Sequence, residues 1–230
     1  MPRPQLKPTP DQTFELIGSG PYDFHKTLDE ATRLQSEGRI EEACNHRFQA
    51  FQRLMELLPE DEEVILAWNH RNSRAVLELL HATAVDHFLI GDYELSAAQL
   101  ELLMELDPED HLEAATLLAF DYQAMDEQEL FDEVINDVSD KHADRLILLL
   151  WAGFRREGRL PQGELKRFKE RFAAYYREFT AEEHPADAAY LASIESERPT
   201  VEAEARELWL RTESLWQQWP TFIEALKATR

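Results

Sequence analysis

The sequence predicts an all-α fold, and three observations carry that reading. Gly is scarce, at 7 of 230 residues, while Leu, Ala and Glu are abundant, a mix that favours helix over strand. Apolar residues recur three and four positions apart along most of the chain, the mark of amphipathic helices. Short turns break that periodicity at Gly38-Arg39-Ile40, Gly91-Asp92-Tyr93, Met125-Asp126-Glu127 and Gly158-Arg159-Leu160. A chain of this length buries a sizeable core as one domain or two.

The elements follow in order. Residues 1–20 carry Pro2, Pro4, Pro8 and Pro10, then Gly18 and Gly20, and read as an extended or flexible leader. Phe14, Leu16 and Ile17 are its available anchors to the first helices. Leu28, Ala31 and Leu34 share one helix face; Ala43, Phe48, Ala50, Phe51, Leu54 and Leu58 line the next, which ends at Pro59. Glu62 to Ile90 reads as helix by composition, as one rod or as two divided at Asn69-His70-Arg71-Asn72-Ser73. Near the end, Leu208, Thr212, Leu215, Trp216 and Trp219 keep helical spacing, and Pro220 suits the first turn of a last helix.

Gly91-Asp92-Tyr93-Glu94, followed by a helix-length segment closing on Leu106-Asp107-Pro108, resembles one unit of a tetratricopeptide repeat. Gly91 and Met125 stand 34 positions apart, and Met125 and Gly158 stand 33 apart, close to the period of that family. Gly38 and Gly91 are 53 apart, so the register calls for about one extra helix near Glu62–Arg71. Ala84 and Ser96 fill the small positions of the clear unit, and Ala31, Ala43 and Ala50 those of the first. Leu118 and Trp151 depart from that pattern in the third and fourth. The resemblance implies a right-handed helical solenoid of antiparallel helix pairs over residues 21–180, with residues 181–230 as a C-terminal helical cap.

Charge excludes several classes of partner. The formal charge is −22, which repels phosphate backbones and anionic lipid over most of the surface. Neither nucleic acid nor membrane is expected as a partner. The single cysteine, Cys44, excludes an intramolecular disulfide and fits a reducing compartment. With no apolar leader and no run of about 20 apolar residues, the expected location is cytoplasmic. Sign is segregated along the chain: Ala75–Asp140 holds 18 acids and no Lys or Arg, whereas Lys141–Glu178 holds ten Lys and Arg against five acids.

Candidate chemistry is sparse. Glu78 and His81 lie one helical turn apart, the spacing of a carboxylate-bridged metal site, but no second copy of the pattern exists. Asp86 and His87 are adjacent and therefore diverge by about 100° on a helix. Cys44 and His46 have no recognisable further ligands for zinc. A basic island of Arg155, Arg156, Arg159, Lys166, Arg167, Lys169, Arg171 and Arg177 is interleaved with Phe168, Phe172, Tyr175, Tyr176 and Phe179. It reads either as a dock for an acidic peptide or as a solvated face whose rings belong to the core. Trp209, Trp216 and Trp219 likewise read as a partner's hot spot or as cap core.

The resemblance places a ligand groove along the first helix of each pair. The matching positions are His25, Gln35, Glu78, His81, Val85, Phe88, Tyr122, Gln123, Arg145, Arg155 and Arg156. The Lys and Asn with which chaperone-binding members clamp a terminal carboxylate are absent here. The expected function is a non-catalytic protein–protein interaction scaffold that binds a protein or peptide partner, with an acidic segment meeting Arg145, Arg155 and Arg156, and with no cofactor. Two alternatives stand beside it. One is a helical enzyme or metal protein using Glu78, His81, Asp86, His87 and Asp121. The other is a self-assembling subunit, a homo-dimer or filament in which acidic block meets basic island.

Overall fold

A computed structural model of the chain describes residues 5–59 and 62–230; the first four residues of the predicted leader lie outside it. The chain divides into two compact units, residues 1–125 and 126–230. The predicted 21–180 repeat region therefore runs across the division, and its helices after residue 125 share a unit with the C-terminal ones.

In the first unit, β1 (Gln5–Pro8) and β2 (Phe14–Ile17) form an antiparallel hairpin, with Leu6 opposite Leu16. A single 3-10 turn at Gly20–Tyr22 leads into α1 (Phe24–Ser36), followed by α2 (Ile40–Met55), α3 (Arg71–Leu89), α4 (Tyr93–Leu106) and α5 (Ala114–Met125). Each helix packs on the next, and α3 also packs on α1 and α5. Ala31, Ala43, Ala50, Ala84 and Ser96 are all buried, as the close crossing of paired helices requires.

Four helix-to-helix turns sit where the sequence places them, and each contains a left-handed residue: Gly38 (φ 76°), Gly91 (φ 81°), Asp126 (φ 67°) and Gly158 (φ 68°). After α1, Gly38 N–H donates to Gln35 O at 3.0 Å and Arg39 N–H to Leu34 O at 2.9 Å; Gly91 and Asp92 repeat this pair of bonds after α3. Both are Schellman caps, and Gly supplies the positive φ without a Cβ penalty. Asp92 then caps α4 by accepting from Leu95 N–H. Asp110 accepts from Ala114 and Ala115 N–H at the start of α5.

Two departures from the all-α expectation occur in the first unit. Most of the predicted leader is the hairpin, and the residues from Glu62 to His70 are not helical. Their backbone bonds go sideways instead. Phe14 N–H donates to Ile65 O at 2.7 Å, Ala67 N–H to Phe14 O at 2.9 Å, and Leu66 N–H to Leu106 O at 2.8 Å. Val64-Ile65 is a β-branched pair with poor helix preference, and the edge bonding of Ile65 and Ala67 to β2 gives their backbone groups partners a helix would otherwise supply. Helix resumes only where the His70 side chain accepts from Ser73 N–H.

Asn72, the second residue of α3, ties these pieces together. Its Oδ1 accepts from Phe24 N–H at 2.8 Å, and its Nδ2 donates to Leu16 O at 3.0 Å and Tyr22 O at 3.1 Å. Ser73 Oγ accepts from Leu16 N–H at 2.9 Å. The segment that reads as the weakest point of a helix is thus the anchor of the N-terminal hairpin.

The second unit contains α6 (Gln128–Val134), α7 (Ala143–Glu157), α8 (Gln162–Arg171), α9 (Ala173–Phe179), α10 (Ala188–Ile194), α11 (Val201–Gln218) and α12 (Pro220–Lys227). Trp151 on α7 is fully buried, with its ring edge-on to Trp216 at 5.3 Å and to Trp219 at 5.9 Å. The large residue at a small-residue position thereby becomes the centre of an aromatic core. Phe168, Phe179, Trp209 and Trp216 are buried as well, so these rings of the basic island and of the terminal helices are core. Pro220 opens α12 as its spacing predicts.

Candidate functional site

In the first unit, the predicted groove residues fall into an accessible set and a buried set. His25 on α1 lies 3.0 Å from Arg71 Nη2 and 3.0 Å from Asp29 Oδ2, beside a depression of about 350 Å³. Glu78 accepts from Arg74 Nε at 2.8 Å, and His81 and Val85 are half-buried on the same helix. Gln35 is exposed and accepts from Arg47 Nη1 at 3.2 Å.

Phe88, Tyr122 and Gln123 are different. Phe88 is wholly buried against Tyr93 and Phe120, and Gln123 is wholly buried on α5. Tyr122 is nearly so, and its hydroxyl donates to Glu101 at 2.6 Å. These three expected groove residues are buried rather than exposed to a partner. Helical spacing alone does not distinguish an exposed face of a helix from the face packed against its neighbour.

Four of the five groups of the alternative enzyme reading, Glu78, Asp86, His87 and Asp121, are held by other partners. Arg47 grips Asp86 through Nε at 2.7 Å and Nη2 at 2.8 Å. His87 Nδ1 lies 2.8 Å from Thr83 O and 3.2 Å from Gln99 Oε1, so Asp86 and His87 diverge as adjacent helix residues must. Asp121, fully buried, accepts from Ser96 Oγ at 2.7 Å; burial pushes its carboxyl up to about 8 against the opposing effect of that bond. Burial also pushes the Cys44 thiol up, beside Arg47 at 3.4 Å. Among the described residues, no group of three or more His, Cys, Asp and Glu could hold a metal ion. No helix among them is long and apolar enough to cross a membrane.

Sequence reasoning missed a third feature of this unit. A cleft of about 590 Å³ opens between the hairpin, the 65–71 segment and the turn after α4. His111 stacks on Trp68 with ring centroids 4.4 Å apart and planes within 6°. Its Nδ1 lies 2.7 Å from Asp107 Oδ1 and its Nε2 lies 3.3 Å from Glu109. Arg74 covers Trp68 at 5.0 Å. Leu106-Asp107-Pro108 stands out in the sequence as the end of a helix, but nothing there links it to Trp68.

In the second unit, the three arginines expected to meet an acidic partner are already engaged. Arg155 lies 3.0 Å from Asp126 and 4.1 Å over the Trp219 ring, and burial pushes its guanidinium down. Arg156 donates to Asp132 at 2.5 Å and Gln128 at 2.8 Å. Arg145 donates to Val138 O at 2.5 Å. Arg145 lines a pocket with Arg167 and Arg171, two members of the basic island, and not with Arg155 or Arg156.

No protein-family model matches the chain, and no curated protein or solved structure matches it.

Proposed function

We propose that the chain is a non-catalytic interaction module whose first unit is a short tetratricopeptide-like array. The observation that carries this reading is the packing of α3, which touches its sequence neighbours α2 and α4 and also the alternate helices α1 and α5. Alternate helices lying side by side are the arrangement in which first helices of successive pairs form a continuous face. The Schellman turns after α1 and α3, and the buried small residues at their crossings, support the same reading.

On this account the partner is a protein or peptide that meets the accessible residues of α1 and α3, namely His25, Gln35, Glu78, His81 and Val85. Recognition is by a preformed surface with little backbone change. The acidic character of this unit disfavours nucleic acid. The test is co-purification from native extract with Glu78→Arg/His81→Glu, compared with Glu94→Arg on the exposed face of α4. Loss of the co-purifying proteins with the α3 variant alone supports the reading. Equal recovery with both variants overturns it.

A further inference from the structure

The pocket of about 160 Å³ bounded by α7, α8 and Asp140 gathers three arginines of the second unit. Four other arginines of this unit are matched: Arg156 by Asp132, Arg206 by Glu178, Arg177 by Glu202 and Arg211 by Asp144. Around the pocket stand Arg145, Arg167 and Arg171, against the two acids Asp140 and Glu170. Arg171 donates no hydrogen bond among the described residues, and its nearest carboxylate, Asp140, is 4.0 Å away. Arg167 donates to Glu164 on its own helix. Arg145 is held in place by Val138 O at 2.5 Å and Asn136 O at 3.4 Å, through one nitrogen. Each guanidinium has five donors, so the trio retains far more than it uses. Leu146 and Leu149 supply an apolar part of the same lining.

We propose that this pocket docks an acidic peptide segment that sets an aliphatic side chain beside a carboxylate. Guanidinium forks pair with carboxylates in bidentate fashion, and a fork already fixed by backbone carbonyls loses little freedom on binding. The leucines need an apolar group to cover them, which a bare phosphate lacks. A nucleic acid carries its phosphates into the field of a chain of charge −22, and a second copy carries a further −22. A short peptide meets only the local field, because more distant charge is screened beyond about 8 Å at physiological salt. The inference extends the interaction reading to a surface in the other unit. Its variants lie on α8, those of the α1–α3 face lie on α3, and either can fail without the other.

The experiment is fluorescence anisotropy of the full chain with a labelled peptide carrying leucine between two glutamates. One control peptide replaces leucine by serine, and another replaces both glutamates by glutamine. The expected result is binding of the parent peptide, weakened about tenfold or more in each control and by Arg171→Glu. Lys166→Glu makes the same charge change on the same helix outside the pocket and is expected to cost less than about threefold. Equal losses in the two variants, or equal binding of the leucine and serine peptides, would overturn the proposal. So would full displacement by inorganic phosphate, which needs no apolar floor. Self-association that Arg171→Glu abolishes in light scattering would assign the pocket to a second copy instead.

Discussion

Ser96 Oγ of α4 donates to Asp121 Oδ2 of α5 at 2.7 Å, and both residues are fully buried. Burial pushes the Asp121 carboxyl from its ordinary 3.8 up to about 8, against the opposing effect of the Ser96 bond. The folded state therefore binds the extra proton between those limits. The stabilisation linked to it is complete below 3.8 and is lost as pH rises towards 8. Urea unfolding from pH 5 to pH 9 is expected to show stability falling for the wild type and falling less steeply for Asp121→Asn. Parallel profiles would contradict the assignment.

Arg47 and Asp86 form a two-pronged ion pair between α2 and α3, with side-chain exposures of 7% and 18%. Removing one partner leaves the other charge poorly solvated, at a cost of about 3 kcal/mol. Arg47→Met and Asp86→Leu are each expected to destabilise by about that much, and the double variant by clearly less than their sum. A chemical-denaturation cycle checks this. Additive losses would mean that the pair is not coupled.

Asn72 satisfies backbone groups of Leu16, Tyr22 and Phe24 at once. Asn72→Ala is expected to cost about 2 kcal/mol, because it orphans partly buried backbone groups as well as losing the bonds. The hairpin should then become the first site of limited proteolysis, ahead of the α1–α2 turn.

Two glycines flanking the end of α7 separate strain from packing. A Cβ on Gly158 meets nothing within 4 Å, so Gly158→Ala costs only its left-handed conformation, about 1 kcal/mol. A Cβ on Gly153 falls 2.2 Å from Pro161 Cγ, so Gly153→Ala must push α8 away. The second is expected to lower the melting temperature more than the first.

The four turns were legible in the sequence because Gly38, Gly91 and Gly158, and Asp126 beside Met125, each break a periodic run. The cap geometry there uses only neighbouring residues. The small residues at helix crossings were legible for the same reason, whereas helical spacing left Trp209 and Trp216 open between core and partner surface, and Trp151 read only as a departure from the small-residue pattern. The hairpin was not legible. Pro8 and Pro10 argue for an extended chain there, but the partners that hold the hairpin, Asn72, Ser73 and Ile65, lie more than a helix away. Ile65, Leu66 and Ala67 bond with β2 and the end of α4 instead of continuing a helix, partners that composition does not register. The basic island misled in a related way. Arg155 and Arg156 looked available because Asp126 and Asp132 are remote in sequence, while Arg145, Arg167 and Arg171 share a pocket that no spacing rule joins.

The interaction reading is tested most directly by hydrogen exchange on the full chain, alone and saturated with a co-purified partner. The account predicts that slowed exchange concentrates in residues 24–36 and 71–89, the spans of α1 and α3. Protection confined to other helices, with these two unchanged, would contradict it.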